Sequence, residues 1–561
     1  GWNSWDCFGT TLTESQAKAQ ADAMARILKP HGWNYFTVDI QWYEPDARGH
    51  FYKEGAPLAM DAHSRLVPAE TKFPSAKAGR GFKPLADYIH GKGLKFGIHI
   101  MRGIPRQAVR ENTPLMGTTA RAADIADRSS VCTWNPDMYG VDMRKPGAQA
   151  YYDSLFAMYA AWGVDLVKVD DIARPYDATQ RAEIEAIRRA IDKTGRPIVL
   201  SLSPGDTPIE RGDHVNRHAN MWRISDDFWD RWEPLYGMFD RLDRWTEFRK
   251  PGAWPDADML PFGIVEFNRP TRFTRDEQTL CMTLWSIARS PLILGADMTR
   301  LDAFTVDLLT NDEVLAVNRR STGGRQVSRS NDSIVWTADI PGSQDKYVAL
   351  FNVRSEKPTY DLSKALYRSP VVRGAERVDV SVPLRASRSL TLMVEDGGDG
   401  FDFDHAAWLE PTIAGPKGTR KLTAMEWKRA SAGWGSVGIH RGADGQPLVF
   451  EGKKIEGLGT HSISVIEYEL PEGYDRFSAK GVLTPGSAGK GSVRFSVLTE
   501  EARLLPSKDR RVSVKLADLG FSGRVRARDL WKKKDLGVSQ EGFGQDVDPH
   551  GAGLYRLSPV P

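Results

Sequence analysis

The stretch Asp165–Ile172, "DLVKVDDI", decides how the first half of the chain is read. Leu166, Val167 and Val169 mark a buried strand between two helix-like segments. Yet Lys168 stands in its middle, and Asp170 and Asp171 close it. Burying a charge is costly unless something pairs with it. Residues two apart on a strand share a face, so Lys168 and Asp170 point one way and Asp171 the other. The strand therefore ends in a polar pair on one face, and the neighbouring segments must say what that face looks into.

Outward from this strand the same texture recurs. Strands are expected at 35–40, 95–100, 197–203, 221–227, 258–263 and 291–297, and helices at 14–29, 83–92, 147–162, 178–194, 229–248, 273–289 and 302–310. With a strand implied at the N-terminus this makes eight βα units, which predicts a (β/α)8 TIM barrel over residues 1–322. Active sites of such barrels lie at the C-terminal ends of the strands. Charged residues collect there: Asp39 on strand two, His99 on three, Asp170 and Asp171 on four, and Arg223, Asp226 and Asp227 on six, with Asp258 ahead of strand seven. Helix N-capping would account for one or two of these acids. It does not account for acids accompanied by Lys168 and Arg223 on several strands, so a shared polar site is predicted.

Beyond residue 325 the pattern changes to alternating strands with Gly, Pro and Ser turns, as in "SIVWTAD" and "KYVALFNV". A second β module is expected over 371–505, inside an antiparallel β domain made of 323–370 and 506–561. With 561 residues, two to four domains are expected. The net charge of +3 and the lack of a dense basic run with interleaved aromatics argue against a nucleic-acid groove. No apolar stretch reaches the roughly 18 residues of a membrane span. The 17 tryptophans suit sugar clefts as well as cores, because indole stacks on the apolar face of a pyranose. Three cysteines permit one disulfide at most and give no zinc spacing.

Together "GWNSWDCFG", "LVKVDD", "MWRISDDFWDRW", "DADML" and "LWSIARSPLILGADM" resemble glycoside hydrolase family 27. That family holds α-galactosidases and α-N-acetylgalactosaminidases, with smaller branches such as isomaltodextranase and β-L-arabinopyranosidase. The segments "KYVALFNVRSEKP" and "VDPHGAGLYRL" resemble the two ends of its C-terminal β domain. Between them, "LTLMVEDGGDGFDFDHAAW" and "EGLGTHSISVIEYEL" resemble the NPCBM type of carbohydrate-binding module, a β-sandwich inserted into the β domain.

The resemblance implies a nucleophile at Asp170 and an acid/base at Asp227, paired with Arg223. Asp226 competes for the second role, and the spacing to Trp232 favours Asp227. Retaining glycoside hydrolysis needs two carboxylates about 5–5.5 Å apart, one ionised and one protonated. The positive charge of Lys168 favours an ionised Asp170; Asp171 reads as structural.

Trp5, Asp39, His99, Lys168, Ser203 and Arg223 are further substrate-binding candidates, the resemblance giving Arg223 with its acid a role in holding the sugar 2-hydroxyl; Trp2 is as well placed for barrel packing as for the sugar. Asp39 matches the first of two family acids that hold the 4- and 6-hydroxyls, but Ile40 replaces the second. "SLSPGD" (201–206) replaces the loop that meets the 2-substituent, which leaves Arg102 and Asp206 as substitutes beside His99. Asp258 matches a family residue of structural type.

The expected activity is a retaining exo-α-glycosidase removing terminal α-galactose. An isomaltodextranase-type or β-L-arabinopyranosidase specificity is the alternative, and a non-catalytic sugar-binding protein is disfavoured because both carboxylates are present. The mechanism needs no cofactor. The turn carrying Asp396, Asp399, Asp402 and Asp404 is a candidate for structural calcium. Because residue 1 already reads as a strand end, the natural chain is expected to begin upstream with a leader, and a periplasmic or extracellular setting is expected.

Overall fold

The computed structural model describes residues 1–354, 360–385, 387–400, 402–503 and 510–560. The chain forms two compact units: Gly1–Ser355 together with Asp509–Pro561, and Glu356–Lys508.

In the first unit, parallel strands β1 (Trp2–Asn3), β2 (Tyr35–Val38), β3 (Lys95–Met101), β4 (Leu166–Asp170), β5 (Val199–Leu202), β6 (Met221–Arg223) and β7 (Trp254–Asp256) pair in chain order. Leu294 closes the ring, bridging Trp2 on one side and Leu260 on the other. The register sets His99 beside Lys168, Lys168 beside Ser201 and Met101 beside Asp170. Adjacent strands therefore deliver their charged residues to one level of the barrel.

The helices pack outside the ring and start where the sequence supplies caps. α1 (Glu14–Ile27), α4 (Ala178–Thr194) and α7 (Arg275–Ile287) each begin with a reciprocal capping box, from Thr13/Gln16, Asp177/Gln180 and Thr274/Glu277. Such boxes satisfy two orphan N–H groups at once. α2 is Lys83–Gly91, and α3 (Ala148–Trp162) ends at Gly163, whose φ of +87° suits a residue without Cβ. α5 (Gly212–His218) and α6 (Trp232–Arg244) complete the set used below.

Two expected strands fall elsewhere. The seventh is not 258–263 but β7, so Asp258 follows the strand instead of preceding it. Asp258 has φ +79°, which breaks the extended run, and Pro261 has no N–H to give to a ladder. Likewise only Leu294 of 291–297 pairs with its neighbours. The three cysteines are free and buried.

The C-terminal β domain is a six-stranded sheet in the order 322–329, 333–339, 346–352, 551–559, 525–529, 534–539. Its central pairing, Lys346–Asn352 against Gly551–Pro559, joins the chain before the second unit to the chain after it. The second unit is thus inserted into this sheet. It is a sandwich of two antiparallel sheets around a core that includes Trp408, Phe477 and Phe495. Its strand Tyr367–Arg368 pairs with Ser492–Leu498, so the module takes in chain upstream of residue 371.

Candidate active site

At the C-terminal end of the barrel lies a cavity of about 410 Å³, lined among others by Trp5, Asp39, Ile40, Lys168, Asp170 and Asp227. Strands β2, β4 and β6 end there, as alternation along a parallel strand requires.

A chain of charges forms its floor. The Lys168 Nζ lies 3.0 Å from Asp39 Oδ2. The side-chain amide of Asn3 donates to the same oxygen at 2.7 Å, and the backbone N–H of Ile40 donates to Asp39 Oδ1. Burial alone would raise the Asp39 pKa, but Lys168, His99 and these hydrogen bonds bring it down to about 2. Burial opposes the charge of Lys168 as well, and its acidic neighbours overcome this and raise its pKa. Asp170 is buried, with His99 Nε2 2.9 Å from its Oδ2 and the Asp171 N–H on its Oδ1. Burial pushes its pKa up; His99 and Lys168 more than offset this and hold the carboxyl below the usual range. The site therefore keeps Asp170 ionised while withdrawing it from water.

Across the cavity, Arg223 Nη2 reaches Asp227 Oδ1 at 3.2 Å and Asp258 Oδ2 at 2.9 Å. Arg223 is buried, whereas the Asp227 side chain is 57% exposed and faces the opening. Asp258 also accepts the Phe228 N–H, so it fixes the segment that presents Asp227. Asp226 also lines the cavity, but its carboxylate pairs with Arg174 at 2.5 Å, and Asp227 is the acid that Arg223 holds.

The predicted residues divide by position. Trp5, Asp39, Lys168, Asp170 and Asp227 line the cavity. His99 and Arg223 are fully or nearly buried and touch it through carboxylates. Ser203 is buried in the wall, and its neighbour Pro204 is the lining residue. Trp2 stacks on Phe36 at 4.5 Å and donates its indole N–H to Ala296, which makes it barrel packing. Arg102 is buried against Asp171 and Glu183, and Asp206 is exposed outside the lining.

His50, Tyr52, Trp134 and Arg174 also line the cavity, beyond the residues that the sequence singles out. They sit in loops, where no strand or helix period marks them; the aromatic cluster in "RGHFYKEG" is the available signal. Tyr52 lies parallel to Trp5 at 6.3 Å and 5.5 Å from Trp134, which builds an aromatic rim.

In the module, Asp404 accepts from the Ser492 N–H and Ser462 Oγ, and Asp399 from Ser492 Oγ. Among the described residues, Asp396, Asp399, Asp402 and Asp404 do not converge at metal-ligand spacing.

Residues 137–320 match the family described as alpha galactosidase A, 348–414 and 418–519 the NPCBM/NEW2 domain, and 497–557 the alpha galactosidase C-terminal beta sandwich domain. The second match runs beyond the compact unit into strand 346–352 of the host sheet. We take the unit as the domain, because that strand pairs with 551–559. A glycoside hydrolase family 27 β-L-arabinopyranosidase from Geobacillus stearothermophilus is 40% identical to the chain, with a TM-score of 0.71, over 100% of this chain and 96% of that one.

The chain belongs to glycoside hydrolase family 27.

Two α-galactosidases match at lower identity. Alpha-galactosidase 2 of Arabidopsis thaliana is 29% identical over 61% of this chain and 72% of its own length. Alpha-galactosidase A of Cellvibrio japonicus is 29% identical over 64% and 76%. A variant of the Geobacillus family 27 enzyme has been solved in complex with arabinose. The present chain is thus a family 27 glycosidase with an NPCBM domain set into its C-terminal sandwich.

Proposed function

We propose that the chain is a retaining exo-glycosidase that removes terminal β-L-arabinopyranose. In this reading Asp170 attacks the anomeric carbon and becomes the glycosyl ester. Asp227 gives its proton to the leaving oxygen and then takes one from the attacking water. Lys168 and His99 keep Asp170 ionised, and Arg223 positions Asp227.

The observation that carries the sugar assignment is Ile40. β-L-Arabinopyranose has the ring configuration of α-D-galactopyranose, with hydrogen in place of the C6 hydroxymethyl group. Ile40 lines the cavity beside Asp39 and is apolar at the position where the family resemblance would place a second carboxylate. A hydroxyl left unpaired against buried apolar surface costs roughly 1–3 kcal/mol, and the pentose has no 6-hydroxyl to leave unpaired. The 40% identity to an arabinopyranosidase points the same way. Asp39 and Lys168 remain to hold the axial 4-hydroxyl that both sugars share, which leaves α-galactosidase as the second reading.

The test measures kcat/KM on nitrophenyl β-L-arabinopyranoside, α-galactoside, α-N-acetylgalactosaminide and α-glucoside. The arabinopyranoside is expected to exceed the α-galactoside by more than tenfold. Ile40→Asp is expected to shift that ratio toward the α-galactoside by at least tenfold, about 1.4 kcal/mol of differential transition-state binding. A wild-type preference for α-galactoside would overturn the assignment, and an unchanged ratio in the variant would remove Ile40 as its cause.

A further inference from the structure

A second group of chemically capable side chains lies away from the sugar cavity, where α4 meets α5. Glu185 comes from α4, and His214 and His218 from α5. Each offers one ligand atom, and the three atoms lie within 4.8 Å of one another. Residues four apart on a helix occupy one face, so the two imidazoles are held side by side, their rings 4.5 Å apart. His214 Nε2 is 3.1 Å from Glu185 Oε1, with the His214 side chain 10% exposed.

An ordinary ion pair would account for Glu185 and His214. It does not account for His218, which is half-buried against the first ring instead of extended into solvent. The outer contacts are those of a metal ligand. The hydroxyl of Tyr176 sits 2.7 Å from His214 Nδ1, which leaves Nε2 directed at Glu185. Ligating histidines usually engage the second ring nitrogen in this way, which fixes ring and tautomer. Tyr176 is held in turn, its backbone N–H donating to Gln180 Oε1 at 2.6 Å.

We infer that Glu185, His214 and His218 form a zinc site, with two imidazoles and one carboxylate as ligands and water in the fourth position. Two nitrogens and one oxygen suit Zn²⁺ better than Mg²⁺ or Ca²⁺, which prefer oxygen-only sets. Arg181 and Arg189 approach Glu185 at 3.7 and 3.9 Å from exposed positions on its own helix. These contacts are long, and the carboxylate can exchange them for the ion. The bound ion would tie α5 through Tyr176 to the segment after Asp170, in which Arg174 lines the sugar cavity.

The test uses the full chain stripped of metal with a chelator. Zinc chloride titrated calorimetrically is expected to show one saturable site and to raise Tm. His218→Gln and Glu185→Gln should each weaken that site at least tenfold and abolish the Tm shift. Cobalt substituted for zinc should give a visible absorption band in the wild type that both variants lose. Circular dichroism checks that the variants fold. Absence of a saturable site in the wild type overturns the inference. So does a His218→Gln protein that binds zinc as the wild type does.

Discussion

Asp39 shows how single groups hold this site together. Its carboxylate is buried and the lysine that neutralises it is mostly so, with 13% of the side chain exposed, so each depends strongly on the other. The Asp39 pKa lies at about 2 in the folded chain against an ordinary value of 3.8. A lowered carboxylate pKa stabilises the fold fully above the ordinary value, and this contribution is lost as pH falls through the folded value. At about 1.4 kcal/mol per pH unit, it amounts to roughly 2–3 kcal/mol. Asp39→Asn should therefore destabilise the protein by about 3–5 kcal/mol at neutral pH, because Lys168 is left buried and unpaired. The gap to wild type should stay constant above about pH 4 and narrow below it. Guanidinium unfolding of both proteins across this range checks the prediction, and a gap independent of pH would show that Asp39 is not ionised when paired. Lys168 and its acidic partners were legible in the sequence because a charge inside an apolar strand is stable only beside an opposite one, and the strand ends supply it. His50, Tyr52 and Trp134 were not, because an aromatic residue in a loop has no period that fixes the direction of its side chain.

At the scale of elements, the link between site and scaffold runs through the start of α4. Gln180 is fully buried and donates to the carbonyls of Asp171 and Arg174, while its own oxygen accepts from the N–H groups of Tyr176 and Asp177. One side chain thus organises the whole turn between Asp170 and the helix. Removing it leaves buried backbone groups unpaired, at about 1–3 kcal/mol each before relaxation. Gln180→Ala should cost about 2–4 kcal/mol of stability and lower kcat/KM, because Arg174 lines the cavity and Asp170 precedes the turn. Chemical unfolding with steady-state kinetics is the check, and a loss under about 1 kcal/mol would mean that the turn is held by other contacts. The helix itself was readable, since Asp177 and Gln180 have capping-box spacing ahead of an amphipathic run. The role of Gln180 in the turn was not, because bonds to carbonyls six and nine residues back leave no mark in composition. Strand seven lies away from its expected place for a related reason: "DMLPFG" is apolar enough for a strand, but Asp258 has positive φ and Pro261 lacks an N–H, so only the single bridge at Leu260 forms there.

At the scale of the molecule, the sequence disclosed an insertion because the two ends of the host domain are recognisable on either side of it. The structure gives the physical basis. The side-chain amide of Asn352 donates to the carbonyl of Val547, and the Val547 N–H donates to the carbonyl of Arg510. The chain leaving the host sheet and the chain returning to it are thus joined by consecutive hydrogen bonds, and a short loop can replace the module. The host sheet keeps its central pairing of 346–352 with 551–559 without residues from the inserted unit. Among the described residues, those that line the cavity lie between Trp5 and Asp227. Excising Glu356–Lys508 and closing the gap with a few glycines and serines should leave a folded protein. Its kcat/KM on nitrophenyl glycosides should stay within about threefold of the full chain, under 1 kcal/mol in barrier. Activity on polymeric substrates should fall if the module serves to hold them, since a tethered binding domain acts by raising local concentration. Circular dichroism and kinetics on small and polymeric substrates separate the outcomes. A folded excision variant that fails on the small glycosides would show that the module completes the active site.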